Sequence, residues 1–353
     1  MFALRVLGGA LAMAKANVAS LHTPLKINLC VTYACQYKCQ TCNIWQRTPT
    51  DELSTSELLS FIAQNRQARW LDITGGEIFL RKDIGEVLEA VVASWPNLAV
   101  LHFPTNGFLT RAIVAAAERL ARARSVLTIV TVSLDGDEQL NDEVRGIKGG
   151  FARQIETFRA LRSIPHLRVV LGMTLSRFNA GSFQRTFDAC RIHIPDLRGD
   201  EFHLNVAQTS SHYYGNDDET VAAPRAALLE DFAAHRPHAA PLHTLSGLVE
   251  RVFHAQMGRF LDSGVTPMPC HALRSSCFID PHGIVYPCIS YSRPLGSLRD
   301  TGMDLDPIWN RAHTRGVQSE IWAGDCPQCW TACEAYQSIL GNVVRPQVFW
   351  RHH

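Results

Sequence analysis

Over the first two hundred residues, short apolar runs alternate with segments of helical period. The runs are Lys26–Thr32, Trp70–Thr74, Leu98–Pro104, Val126–Leu134, Leu167–Leu175 and Phe202–Ala207, and their β-branched, turn-bounded character predicts six strands. Between them, Ile84, Val87, Leu88 and Val91 form one 3.6-period stripe, and Phe151, Ile155, Phe158 and Leu161 form another. Ser54 and Glu57 have the spacing of a capping box ahead of Leu58, Phe61 and Ile62. Six consecutive strand–helix units predict an α/β fold, a parallel sheet with right-handed crossovers. Such a sheet takes its ligands at the carboxyl ends of the strands.

The alternation stops near residue 208. Residues 209–223 are polar, contain Tyr213–Tyr214–Gly215, and read as a loop. Helical pattern resumes from Pro224 to Leu261, with a Pro/His/Ala break at 236–243. From about 265 the chain is rich in Pro, Gly and Cys and has few long periodic runs, which predicts a region held together by a cofactor more than by core volume. No internal repeat or low-complexity tract is present. The first twenty residues carry Arg5, a short apolar run and small residues. This predicts a helix packed on the domain. A helix resting on a membrane surface and a signal peptide are the competing readings. No apolar run approaches the ~20 residues that span a bilayer.

Charge changes the picture little. A formal net charge of +1 gives no electrostatic case for nucleic acid or an anionic membrane as the main partner. The cysteines change it more. There are eleven, and all but Cys190 fall at 30–42 or 270–333. Disulfide frameworks favour short secreted domains, whereas CxxxCxxC and CxxC groupings in a long chain point to metal ligation and a reducing cytoplasm.

The first group reads Cys35-Gln-Tyr-Lys-Cys39-Gln-Thr-Cys42 and directly follows the first strand. Three thiolates suit an iron–sulfur cluster with one iron left open, and an open position signals reactivity. Thr74-Gly75-Gly76-Glu77 closes the second strand. Cysteine spacing, motif order and strand-end position together resemble the radical SAM superfamily over roughly residues 25–210. The resemblance implies a partial (β/α)6 TIM-like barrel, a 4Fe–4S cluster on Cys35, Cys39 and Cys42, and S-adenosylmethionine (SAM) bound through Gly75, Gly76 and Glu77. It further implies reductive cleavage of SAM to a 5′-deoxyadenosyl radical that abstracts hydrogen from an unactivated C–H bond. Asn106, Ser133 and Arg145 are candidate SAM contacts, and Thr174, Asn179 and Asn205 are weaker ones; each has the alternative of a plain polar strand cap. Many family members place an aromatic residue before the third cysteine. Here Thr41 stands there, so adenine stacking falls to Ile44 or Trp45. Cys30 and Cys190 read as small apolar packing residues.

The second group is Cys270, Cys277, Cys288, Cys326, Cys329 and Cys333. Cys277–Cys288 reads as a β-hairpin turning at Asp280–Gly283. The group resembles the small cysteine-rich auxiliary-cluster extension called twitch or SPASM, and implies one auxiliary 4Fe–4S cluster on Cys270, Cys288, Cys326 and Cys329, with Cys277 and Cys333 as rivals. A zinc ribbon is the alternative. The expected organisation is an N-terminal extension over 1–24, the partial barrel over 25–210, a helical connection over 211–264 and the auxiliary domain over 265–353. The resemblance implies a small-molecule, sugar-like or peptide substrate and a reductant such as flavodoxin or ferredoxin. A lipid-linked substrate and a non-enzymatic electron carrier are the alternatives. No catalytic side chain is assigned by the sequence.

Overall fold

The computed structural model describes residues 2–217, 221–236 and 245–344. Six strands follow the predicted runs: β1 (Lys26–Cys30), β2 (Trp70–Thr74), β3 (Val100–Thr105), β4 (Leu127–Ser133), β5 (Leu167–Leu175) and β6 (Phe202–Val206). All pair in parallel, in the order β6-β5-β4-β3-β2-β1. The crossovers carry α2 (Thr55–Gln64), α3 (Ile84–Ser94), α4 (Thr110–Leu120), α5 (Glu138–Val144), α6 (Gly150–Arg162) and α7 (Phe183–His193). The two apolar stripes are buried against the sheet as expected. The capping box forms: Ser54 Oγ accepts from Glu57 N at 3.3 Å and Glu57 Oε2 from Ser54 N at 2.8 Å. Residues 225–235 (α8) and 245–263 (α9) are helical. Most of the break predicted at 236–243 lies outside the described residues.

The expectation of a thin core beyond 265 is corrected. β7 (Ser276–Ile279) adds to β1 in parallel, Lys26 opposite Ser276, and β8 (Ile284–Tyr286) and β9 (Gly296–Ser297) extend the same sheet antiparallel. Three helices follow: α10 (Asp306–Trp309), α11 (Ala312–Ala323) and α12 (Ala332–Asn342). Val317, Ile321, Trp309, Trp330 and Ile339 join the core that the barrel helices bury. The helical period here is interrupted by the Cys326-Pro-Gln-Cys329 turn, which hides it in the sequence. The predicted hairpin is present, with Gly283 at φ +81° donating to the Asp280 carbonyl at 3.0 Å.

β1 is buried on both faces, which makes Lys26 a fully buried cation. Its ammonium meets Asp72 Oδ2 at 2.9 Å, the Cys333 carbonyl at 2.5 Å and Gln337 Oε1 at 3.2 Å, so α12 is joined to the barrel interior through β1. At the amino terminus, α1 (Phe2–Lys15) packs on the domain as expected. Met13 and Ala16 are buried, and Arg5 donates to Ser125 Oγ at 3.0 Å. Leu7 and Leu11, one turn apart, face outward. Among the described residues no helix is long and apolar enough to cross a membrane.

Candidate functional site

The loop leaving β1 carries Cys35, Cys39 and Cys42 and is clamped on three sides by backbone hydrogen bonds. Gly76 N donates to the Thr32 carbonyl at 2.9 Å and Glu77 N to that of Ala34 at 2.8 Å. Lys38 N and Gln40 N donate to the carbonyls of Arg145 and Val144 at 3.2 and 2.8 Å. Asn43 N reaches the Tyr214 carbonyl at 2.8 Å, and Asn216 Nδ2 that of Thr41 at 2.8 Å. Glycine is required at two of these clamps. A Cβ on Gly76 would fall on the Ala34 carbonyl and 2.8 Å from Cys35 Cβ, and one on Gly146, at φ +63°, would fall on the Lys38 carbonyl. The Gly75–Gly76 pair was legible from sequence; Gly146 was not.

Burial governs the thiols. It pushes Cys35 up to about 11 and Cys42 up to about 12, and raises Cys39. Arg145 is the neighbouring cation that opposes this at all three. Its guanidinium is buried, meets Asp135 Oδ2 at 2.5 Å and lies 5.2 Å from the Tyr37 ring centre, while its Nε has no hydrogen-bond partner in the protein. Asp135 is fixed in turn by Thr174 N at 2.8 Å. Among the described residues no three cysteine sulfurs lie within 4.8 Å of one another. A tetrahedral zinc would hold thiolates about 3.8 Å apart. The all-thiol donor set and the flanking cation fit an iron–sulfur cluster.

The predicted SAM contacts gather at the strand ends beside this loop. Gly75, Gly76 and Glu77 follow β2, Asn106 follows β3 and Ser133 ends β4. Glu77 is fully buried, and its carboxylate accepts from Phe79 N (3.2 Å), Thr105 Oγ1 (3.0 Å) and Asn106 N (2.7 Å). It thereby ties β2 to β3. Asn106 Nδ2 donates to Gln36 Oε1, inside the cysteine loop, at 3.1 Å. Asn179 caps its own strand end, donating to the carbonyls of Asp135 and Thr174. Asn205 leaves its buried Oδ1 without a protein partner. Ile44 is buried in the apolar cluster that Cys35 and Cys42 pack against, and Trp45 lies half-buried with Lys38 5.6 Å from its ring centre.

The polar segment after β6 supplies residues the sequence did not assign. Tyr213 is buried, and its hydroxyl lies 2.7 Å from Thr74 Oγ1 and 3.2 Å from the Gly75 carbonyl. Tyr214 packs against Tyr213 at 4.6 Å between ring centres. Two adjacent tyrosines in an otherwise polar stretch were the available signal.

In the second group, Cys270, Cys288, Cys326 and Cys329 line one pocket together with Ala272 and Ile321. The two rivals lie elsewhere. Cys277 sits on β7 in the apolar core, and Cys333, on the first turn of α12, packs with the Tyr33–Tyr213 cluster beside the first loop. Cys30 and Cys190 are buried packing residues, as expected.

Comparison with known proteins agrees with this geometry. Residues 29–190 match the radical SAM superfamily, and residues 270–344 match SPASM, an iron–sulfur cluster-binding domain. Two Bacillus subtilis (strain 168) proteins are similar. The sporulation killing factor maturation protein SkfB is 28% identical over 172 residues, covering 48% of this chain and 40% of its own. The antilisterial bacteriocin subtilosin biosynthesis protein AlbA is 30% identical over 162 residues, covering 41% and 34%. The chain thus spans two fifths or less of the length of these relatives. The structure of Streptococcus suis SuiB bound to S-adenosylmethionine superposes with a TM-score of 0.60 at 18% identity, over 88% of this chain and 70% of that one, which shows a shared fold. A radical SAM domain implies a 4Fe–4S cluster and SAM, and a SPASM domain implies auxiliary iron–sulfur. With its cysteine loop clamped beside the end of a parallel strand and a second cysteine pocket fused to that sheet, the chain carries a radical SAM superfamily domain over residues 29–190 and a SPASM domain over residues 270–344.

Proposed function

We propose that the chain is a radical SAM enzyme that abstracts hydrogen from an unactivated C–H bond of a peptide. In this reading Cys35, Cys39 and Cys42 hold the 4Fe–4S cluster, and Cys270, Cys288, Cys326 and Cys329 hold an auxiliary one. SAM lies along Gly75, Gly76, Glu77, Asn106, Ser133 and Arg145. When bound and reduced, cluster and SAM together supply homolytic C–S cleavage and a 5′-carbon radical. The protein contributes positioning and water exclusion.

Its own residues divide that work. Glu77 is a positioning residue, fixing the ends of β2 and β3 against each other. Arg145 offsets the negative charge of three thiolates and keeps one N–H free for an anionic ligand group. Tyr213 and Tyr214 cover the loop and exclude solvent. The observation that carries the reading is the threefold backbone clamp that fixes the cysteine loop onto the strand ends. The names of SkfB and AlbA, a maturation protein of a killing factor and a bacteriocin biosynthesis protein, support a peptide over a small molecule.

The test is anaerobic reconstitution, reduction with dithionite, and quantitation of 5′-deoxyadenosine from SAM, with Cys39→Ala as control. Wild type should cleave SAM and the control should not. Full cluster content without SAM cleavage refutes the enzyme. Mass shifts of about one or two hydrogens in peptides encoded by neighbouring genes test the substrate class.

A further inference from the structure

A second set of ligating side chains lies on β6, the edge strand of the sheet, and on the helix beside it. His203 is the second residue of β6, and Glu250 and His254, four apart, share one face of α9. His203 Nδ1 lies 2.6 Å from Glu250 Oε1, and His254 Nε2 lies 3.4 Å from the same oxygen. All three donor atoms fall within 4.8 Å of one another. The other carboxylate oxygen accepts from the Tyr336 hydroxyl of α12, which leaves Oε1 turned toward the imidazoles. His254 Nε2 is buried and makes no hydrogen bond. Packing fixes both rings: His203 stacks on Phe253, and His254 meets Phe232 edge-on.

We propose that His203, Glu250 and His254 form a mononuclear site for a divalent transition ion of the zinc class, separate from both cysteine groups. Two imidazoles and one carboxylate are a donor set such ions take, with a fourth position left for water or a ligand. A tetrahedral ion with nitrogen and oxygen ligands about 2.0–2.2 Å away sets those donors about 3.3 Å apart. The two histidine–carboxylate separations, 2.6 and 3.4 Å, lie within an ångström of that value. Tyr336 acts from behind, orienting the carboxylate. A resident ion ties β6 to α9, and through Tyr336 to α12. The inference stands independently of SAM chemistry.

The experiment uses the anaerobically reconstituted protein, so that iron fills the cysteine sites, and titrates it with zinc sulfate. After desalting, wild type should retain one zinc per chain and show a raised Tm. His203→Ala and His254→Ala should lose that zinc with iron and sulfide unchanged, and Tyr336→Phe should bind it about 10-fold more weakly. Equal zinc in wild type and both alanine variants, or no zinc in wild type, overturns the site and leaves a metal-free hydrogen-bonded cluster. Should the variants fail to fold, zinc-edge absorption on wild type decides. A nitrogen/oxygen shell supports the assignment, and a sulfur shell overturns it.

Discussion

Replacing Gly76 with alanine tests how the cysteine loop is held. The added Cβ would lie 2.8 Å from both the Ala34 carbonyl carbon and Cys35 Cβ, and closer still to the Ala34 oxygen. Restoring ordinary contact at about 3.4 Å moves the loop by at least ~0.6 Å. That shift stretches the Glu77 N to Ala34 and Gly76 N to Thr32 hydrogen bonds, now 2.8 and 2.9 Å. Overpacking costs about 1–3 kcal/mol, and each weakened bond up to about 1 kcal/mol, so a loss of roughly 2–4 kcal/mol is expected. Because the displaced atoms include Cys35 Cβ, iron at the first site should fall with stability. The assays are urea unfolding of the reduced, metal-free protein, and iron content with SAM cleavage after reconstitution. Gly316→Ala is the matched control: this α11 glycine has nothing within 4 Å of an added Cβ, and the change should stabilise by about 0.5–1 kcal/mol. A Gly76→Ala protein with wild-type stability, iron and SAM cleavage would refute the clamp.

Three further outcomes follow from the same structure. Cys288→Ala should lower reconstituted iron by about four per chain, whereas Cys277→Ala should leave iron unchanged; equal losses would show that the pocket is not the ligand set. Arg145→Gln strands a buried Asp135 and should cost about 3–5 kcal/mol in urea unfolding, with much of the loss recovered in the Asp135→Asn/Arg145→Gln double variant. Arg299 and the helix cap hold the Glu57 carboxyl down at about 2, against an ordinary value of 4.5. Its stabilisation is therefore fully present above about pH 4.5 and is lost as pH falls through about 2. The stability gap between wild type and Glu57→Gln, about 0.5–1 kcal/mol for so exposed a pair, should close between pH 5 and pH 2 in thermal melts.

The barrel was legible because its signals are local. Apolar runs gave β2 and β5 with their observed ends, and Ser54 with Glu57 marked the start of α2. The two cysteine groups were legible because Cys35, Cys39 and Cys42 are close in sequence, as are Cys326 and Cys329. What the sequence hid is long-range. The pairing of β7 with β1 leaves no mark in either strand's composition. Arg145 stood out in its Val-Arg-Gly segment, but its proximity to three thiols depends on α5 folding back beside the loop, where Lys38 and Gln40 bond the Arg145 and Val144 carbonyls. Tyr213 is polar by residue type and buried by context, because its hydroxyl finds Thr74 and Gly75. His203, Glu250 and His254 come from two elements, and His/Glu pairs four apart on a helix are too common to single out.

The position of β1 also bears on the order in which the molecule is made. This strand is the first of the chain, yet it is completed only when Ser276–Ile279 arrives to pair with Lys26–Leu29. Its buried ammonium waits longer still, for Cys333 and Gln337 on α12. During synthesis at about 5–20 residues per second, β1 therefore stands as an open strand edge for on the order of ten seconds or more. Closure of the sheet over β1 is thus expected to wait for residues 276–337, with α12 acting as the latch.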